Sequence, residues 1–372
     1  MKKIAIIVGT RPEGIKLAPI IKRAQTQFKN EIEINVIASG QHEDILNDVF
    51  QLFEIKPDII LKIDRKSTLL SEIQSEMIYK LERHFENQKP DIVIVQGDTT
   101  TTLSGALAAF YQKIPIAYIE SGLRSGDLYA PFPEEAHRRL VTQISTWQFT
   151  PTKKATQTLL SEGINKNVYE VGNTIIDALI HIQKNAFKKD HHDWSKHKIN
   201  GRKTMMVTIH RRENWGQNLD NILNALKEIA NKFNDTLDIV WVAHPNPMLH
   251  QDIKSNTEAI ENIHVYPPTN YVKLLHLMSM SYLILTDSGG IQEEAPSFNV
   301  PVLVARDVTE RIEGIELGCA KLVGTQTETI VKEVCVLIEN SDQYKKMTGF
   351  RNPYGDGTAS QKILNILNQD KV

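Results

Sequence analysis

The sequence predicts an α/β protein of two halves, each a parallel sheet covered by helices on both faces. Three observations carry this. Short β-branched, continuously apolar runs alternate with helix-period segments almost from end to end, the pattern of strands buried on both faces. A polar stretch, 188–203, interrupts the alternation near the middle, where a loop or domain junction is expected. At roughly 100–200 residues per domain, a chain of 372 residues exceeds one ordinary core.

Taken in order, Ile4–Val8 reads as a buried first strand. Ile15–Ala24 has helical spacing, with Ile15, Leu17, Ala18, Ile20 and Ile21 available for one face. Ile32–Ala38 is a strand, and Asp44–Phe53 a helix on Ile45, Leu46, Val49, Phe50 and Phe53. Leu69–Asn87 is a long amphipathic helix; Asp91–Gln96 is a strand, Thr101–Tyr111 a helix and Ile116–Ile119 a strand. Beyond the polar stretch, Thr204–Ile209 and Leu237–Val242 are strands around the helix Leu219–Phe233. Tyr271–Met278 is a helix, Tyr282–Thr286 and Val300–Val304 are strands flanking another, and Ala359–Leu367 is a terminal helix. There is no short internal repeat. Open α/β sheets bind ligands beyond the carboxyl ends of their strands, so with two sheets the economical site is the cleft between them.

Composition narrows the function. Hydrophobic content of 41% and charged content of 24% are those of a soluble globular enzyme. A net charge of -2 argues against nucleic-acid or anionic-membrane binding, and leaves room for a local basic pocket. Cys319 and Cys335 are too few for a disulfide framework and show no zinc spacing, so a reducing cytoplasm is expected. The apolar run 4–8 is too short for a signal peptide and has no cleavage site after it. No stretch reaches the ~18 apolar residues of a membrane helix. His191, His192 and His197 lack the fixed spacing of a zinc site, and the acidic residues lack a Mg²⁺ pattern; no metal is expected.

Polar motifs should follow the strands, and they do. Gly9-Thr10-Arg11-Pro12-Glu13 follows the first strand. Gly9 permits a tight turn, and Arg11 and Lys16 can reach a diphosphate at a helix start; an ordinary β–α turn with surface charges accounts for it equally well. The segment is not GxGxxG, which disfavours a nicotinamide site. Asp98 with Thr99–Thr102 follows the strand ending at Gln96, where helix capping is the simple alternative. Glu120 ends the next strand, Arg124 follows, and then Pro131-Phe132-Pro133-Glu134-Glu135 and His137-Arg138-Arg139. Several carboxylates on one rim raise one another's pKa and suit acid/base work, although Glu134 and Glu135 also counter a helix dipole.

In the second half, His210-Arg211-Arg212-Glu213-Asn214 and His244-Pro245-Asn246 follow strands. His210 can titrate or hydrogen-bond near neutral pH, whereas Arg212 and Glu213 read more simply as a surface salt-bridge cluster. Asp287-Ser288-Gly289-Gly290 with Ile291–Ala295 is the strongest local signal. Its glycines let the backbone approach a ligand, Ser288 can bond phosphate, and Glu294 can accept from ribose hydroxyls. Arg306 offers a further cation.

Together these segments resemble the bacterial non-hydrolysing UDP-N-acetylglucosamine 2-epimerases over essentially the whole chain. The matching segments are GTRPEGIKLAP (9–19), SGQHEDIL (39–46), QGDTTTT (96–102), ESGLRSGDLYAPFPEE (120–135), GNTIIDAL (172–179), HRRENWG (210–216), TDSGGIQEEAPS (286–297), VLVARDVTER (302–311) and PYGDG (353–357). Ile312, Ser121, His137 and the order His244-Pro245-Asn246 depart from the family pattern. The resemblance implies a GT-B-like fold of two Rossmann-like domains, 1–175 and 176–355, with a final helix, 356–372, crossing back to the N-terminal domain. It implies a cytoplasmic homodimer with neither metal nor nicotinamide, and a second UDP-GlcNAc acting as activator. Asp98, Glu120, Glu134 and His210 match the family's catalytic positions. Arg11, Lys16, Ser288, Gly289, Gly290 and Glu294 match its UDP contacts, and Gln41, Arg211 and His244 are candidates for the activator site. The reaction implied is epimerisation at C2 through elimination of UDP and re-addition. The alternatives are a hydrolysing epimerase, a paralogue acting on a modified UDP-sugar, a GT-B glycosyltransferase and a non-catalytic UDP-sugar sensor.

Overall fold

The computed structural model describes residues 1–40, 43–63, 69–187, 194, 201–243 and 246–370. The chain divides into two compact units: unit 1 is Met1–His181 with Tyr354–Val372, and unit 2 is Ile182–Pro353. The border lies inside the helix Thr174–Asn185, not at its start.

Unit 1 is built on seven strands: β1 (Lys2–Val8), β2 (Ile32–Ala38), β3 (Ile59–Ile60), β4 (Ile92–Gln96), β5 (Ile116–Ile119), β6 (Trp147–Thr150) and β7 (Val168–Glu170). They lie in the order β3-β2-β1-β4-β5-β6-β7, every neighbouring pair parallel. The order reverses between β1 and β4, the switch point at which open α/β sheets hold ligands. Both faces of β1 are buried, and on one of them Ala5 and Ile7 join Met77, Leu81 and Phe85 of the helix Leu70–Asn87 in one cluster. The larger of these, Ile7, Met77, Leu81 and Phe85, contribute about 1.5–3 kcal/mol each.

The first helix runs Arg11–Thr26 and so begins before the Ile15 that hydrophobic spacing picks out. Thr10 and Glu13 form a capping box and Pro12 stands in the first turn, so capping chemistry starts the helix ahead of its apolar face. The last helix, Ala359–Gln369, belongs to unit 1. Buried Asp177 accepts from the amides of Ala359 and Ser360 at 3.2 and 2.9 Å, and Lys2 Nζ donates to the carbonyls of Leu367 and Asp370 at 2.6 Å. Both ends of this helix are therefore satisfied by side chains of the N-terminal segment.

Unit 2 has six strands: β8 (Lys203–Thr208), β9 (Leu237–Val242), β10 (Ile263–Tyr266), β11 (Leu283–Thr286), β12 (Val302–Val304) and β13 (Ala320–Leu322). Their order is β10-β9-β8-β11-β12-β13, again all parallel, and the reversal falls between β8 and β11. Val207, Ile239, Trp241 and Leu285 pack with Leu223 and Leu226 of the helix Gln217–Lys232. The polar stretch 188–203 contains Trp194, which is buried against Tyr266 and donates from Nε1 to the Lys273 carbonyl at 3.1 Å. His191, His192 and His197 lie outside the described residues.

Candidate active site

In unit 1 the strands β4 and β5 are in register through Gln96 and Ile119, and both leave the sheet by a left-handed residue. After Gln96 that residue is Gly97 at φ 79°; after Ile119 it is Glu120 at φ 66°. Glycine meets this conformation freely, whereas a glutamate held there stores roughly 1–3 kcal/mol. What holds Glu120 is a set of buried partners. Lys16 forms an ion pair with Oε1, Gln96 donates to Oε2, and Asn173 Nδ2 lies 3.4 Å from Oε1. Lys16, matched to the diphosphate by resemblance, is thus engaged with a catalytic-position acid.

Asp98, two residues past β4, is gripped by one oxygen. Arg138 Nε and Nη2 donate to Oδ2 at 2.9 and 2.5 Å, while His137 Nδ1 donates to the Asp98 carbonyl at 2.8 Å. Arg138 also reaches fully buried Glu135 at 3.2 Å. Burial pushes the Glu135 carboxyl up, but the Ser125 amide and the guanidinium groups of Arg139 and Arg138 outweigh it and hold it below the usual range. Glu134, beside it in the first turn of the helix Glu134–Ile144, differs: its buried Oε2 has no hydrogen-bond partner among the described residues. Tyr118, on β5, donates to the Gly97 carbonyl at 2.9 Å. Burial raises its phenol, and the nearby charges of Asp98 and Glu120 raise it further. Ser121 is accommodated by donating to Gln148 Oε1 at 2.5 Å.

Under this rim lies Glu13, which is 3% exposed. Its Oε2 accepts from the amides of Gly9 and Thr10 at 2.7 and 2.8 Å; its Oε1 accepts from the hydroxyls of Thr99 and, at 3.2 Å, Thr102. Burial raises its carboxyl despite these four bonds. Arg11 stands next to that turn, half-buried in the first turn of its helix.

In unit 2 the corresponding place is organised by Asp287, fully buried at the end of β11. It accepts from the amide of His210 at 3.0 Å, from that of Arg211 at 2.9 Å and from Asn214 Nδ2 at 2.9 Å. Arg211 Nε in turn donates to the Asp287 carbonyl at 3.0 Å. Burial lowers the Arg211 pKa, and neighbouring Arg306 lowers it further. Ser288 caps the helix Gly289–Glu294 without a side-chain capping bond, which leaves its hydroxyl uncommitted to the helix. A Cβ on Gly289 would come within 3.1 Å of the Arg311 guanidinium, while one on Gly290 would meet only Ser288 Oγ, at 3.9 Å. There is therefore open space over Gly290 into which an oxyanion can approach the backbone. Glu294 is buried and accepts from the Tyr271 hydroxyl at 2.5 Å.

Arg306, read from the sequence as a further cation, is ion-paired, its guanidinium 3.0 Å from Glu213 and 3.1 Å from Glu310. The structure joins Lys16 to Glu120, and His210 and Arg211 to the Ser288-Gly289-Gly290 loop through Asp287. Gln41 and His244, the other activator candidates, lie outside the described residues. Arg138, Gln96, Asn173, Tyr271 and Glu13 fall in segments read from the sequence but carry no site role there. Only Glu13 had a sequence signal, the Thr-x-x-Glu of a capping box; the others come from tertiary contact alone.

Carboxylates at the strand ends of one parallel sheet, and a Ser-Gly-Gly loop with open space over Gly290 at the strand ends of another, place the protein in the class of α/β enzymes whose sites lie beyond the strand ends. A family profile described as UDP-N-acetylglucosamine 2-epimerase matches residues 24–368. The UDP-N-acetylglucosamine 2-epimerase of Neisseria meningitidis serogroup A is 44% identical over 370 residues, covering 98% of this chain and 99% of that one. The crystal structure of the UDP-GlcNAc 2-epimerase from Neisseria meningitidis bound to UDP-GlcNAc matches with a TM-score of 0.89 at 42% identity, covering 99% and 100% of the two chains. MurG of Acinetobacter baumannii, at 12% identity and a TM-score of 0.62 over 99% of this chain and 100% of that one, shares the GT-B-like fold alone. The chain belongs to the UDP-N-acetylglucosamine 2-epimerase family, whose members are isomerases.

Proposed function

We propose that this enzyme interconverts UDP-GlcNAc and UDP-ManNAc by eliminating UDP across C1–C2 and adding it back, without releasing free sugar. The carrying observation is the contrast among three carboxylates: Asp98 and Glu120 are ion-paired, whereas Glu134 has a buried oxygen with no partner among the described residues. The C2 hydrogen is not acidic enough for direct exchange. Breaking the C1–O bond with its electron pair leaving on UDP makes C1 electron-poor, and removal of the C2 proton then forms the C1=C2 bond of a glycal. A carboxylate fixed beside C1 stabilises the developing oxocarbenium charge. Asp98, kept in place by Arg138, fits that task. Glu134 is the acid/base for one face of C2, and Glu120, sharing its charge with Lys16, serves the other. Adding the proton back on the opposite face while UDP returns to C1 completes the inversion.

Arg11, His210, Ser288, Gly289 and Gly290 hold the diphosphate, whose growing charge their donors stabilise on departure. Glu294, steadied by Tyr271, accepts from the ribose. A second UDP-GlcNAc acts as activator at Gln41, Arg211 and His244, and the enzyme works as a cytoplasmic homodimer. The test is proton NMR of UDP-GlcNAc with the enzyme in D₂O. UDP-ManNAc carrying deuterium at C2 is expected. Free ManNAc with UDP moves the enzyme to hydrolysis, and ManNAc units without deuterium remove the proton-exchange scheme.

A further inference from the structure

We propose that Glu13 is a positioning residue that fixes the Arg11 turn and the Asp98 turn as one unit, through the reach of its side chain rather than through its charge. The inference rests on the reading of Arg11 and Asp98 given above. Glu13 bonds to both turns at the switch point of unit 1. Oε2 collects the amides of Gly9 and Thr10, immediately before Arg11, and Oε1 collects the hydroxyls of Thr99 and Thr102, immediately after Asp98. Thr102 shares its one hydroxyl hydrogen between Glu13 Oε1 at 3.2 Å and the Gln96 carbonyl at 2.6 Å, so the same contact reaches the residue that donates to Glu120. Gly9 has no room for a side chain, since a Cβ there would lie 2.0 Å from Thr101 Oγ1; the two turns are packed in contact as well as hydrogen-bonded.

Charge is a poor explanation for this residue. It is buried, faces uncharged donors, and burial raises its carboxyl. The bonding pattern needs an acceptor toward two backbone amides and any hydrogen-bonding group toward two hydroxyls, which can reverse direction. A glutamine satisfies that pattern: its carbonyl takes the amides, and its NH₂ donates to the threonines. An aspartate keeps the charge but is a methylene short and cannot span both turns.

Glu13→Gln, Glu13→Asp and Glu13→Ala separate the two accounts. For the last two, kcat should fall by roughly 10²-fold, the scale of a displaced catalytic group, with glutamine recovering most of the loss. KM should rise less than kcat falls. Hydrogen exchange of segments 9–13 and 97–102 is read in parallel, without substrate, and should quicken in both segments together for Asp and Ala but not for Gln. Aspartate active and glutamine inactive would overturn the inference in favour of charge. Wild-type kcat per folded molecule in Glu13→Ala, or quickened exchange confined to 9–13, would overturn it outright. If the wild-type enzyme fails to epimerise UDP-GlcNAc, the functional reading falls, and the exchange data still decide whether Glu13 joins the turns.

Discussion

The two units solve one problem in mirrored ways at their switch points. In unit 1 the loops after β1 and β4 are joined by Glu13, a carboxylate supplied from the β1 side that reaches hydroxyls on the β4 side. In unit 2 the loops after β8 and β11 are joined by Asp287, supplied from the β11 side, which reaches back to the amides of His210 and Arg211. The short Asp287 sits on a strand end and needs its neighbour's backbone close by; the longer Glu13 works from a helical turn away. What surrounds the clamps differs too. Around Glu13 stand further carboxylates, two of them ion-paired. Around Asp287 stand a serine, two glycines and basic side chains. A buried acid at a strand end is therefore no sign of catalysis by itself. Its donors decide: an acid saturated by amides builds the loop, whereas one with an idle oxygen, as in Glu134, can take a proton.

That comparison can be broken most sharply at Asp287. Asp287→Ala leaves two amides and one N–H of Asn214 without their acceptor, the Asn214 bond to the Ala305 carbonyl remaining, so unit 2 should lose about 4 kcal/mol, given roughly 1–3 kcal/mol per stranded donor. An unchanged urea midpoint for unit 2 would show that the loops hold without the clamp. Next comes the cluster of Arg306 with Glu213 and Glu310. Burial opposes ionisation of Glu310, but Arg306, and then Arg311, outweigh it and bring the carboxyl from 4.5 to about 2. A depressed carboxyl stabilises the fold fully above its unfolded value and loses that contribution as pH falls from about 4.5 to about 2. At ~1.4 kcal/mol per pH unit this amounts to about 3 kcal/mol. Wild-type and Glu310→Gln unfolding curves should differ at pH 6 and converge near pH 2; parallel curves across that range would dissolve the pairing.

In unit 1, Glu120→Gln and Glu134→Gln should each lower kcat by roughly 10²-fold, the usual loss of a general acid or base, and Asp98→Asn by roughly the same factor through lost stabilisation of the charge at C1. Near-normal turnover in any of them assigns that residue to loop-building, on the side of Glu13. The smallest effect is expected from Ser288→Ala. Losing one hydroxyl bond to phosphate, worth about 1 kcal/mol, should weaken UDP binding roughly fivefold by calorimetry and leave stability alone. Unchanged affinity would leave the open space over Gly290 to the backbone only.

Much of this was legible in the sequence. The alternation of β-branched runs with amphipathic segments carries the parallel sheets, because strands buried on both faces must be apolar throughout. Elements that lack this signal were unread: β6 (WQFT), β7 (VYE) and β13 (AKL) are too short to show a period. The helix Thr327–Glu339 is unassigned in the sequence reading although Ile330, Val334, Cys335 and Leu337 have the helical spacing that buries them, Ile330, Val334 and Leu337 in one cluster with the helix Gln217–Lys232.

The sequence by itself determined the fold class, the reading of the chain as two βα halves and the positions of the polar loops, since these depend on local period and turn chemistry. Only the tertiary structure decided which acids are occupied and which are idle. Asp98 meets Arg138 across 40 residues, Lys16 meets Glu120 across 104 and Asp287 meets His210 across 77. No local pattern encodes such pairings, because they depend on which strand ends the sheet order makes neighbours.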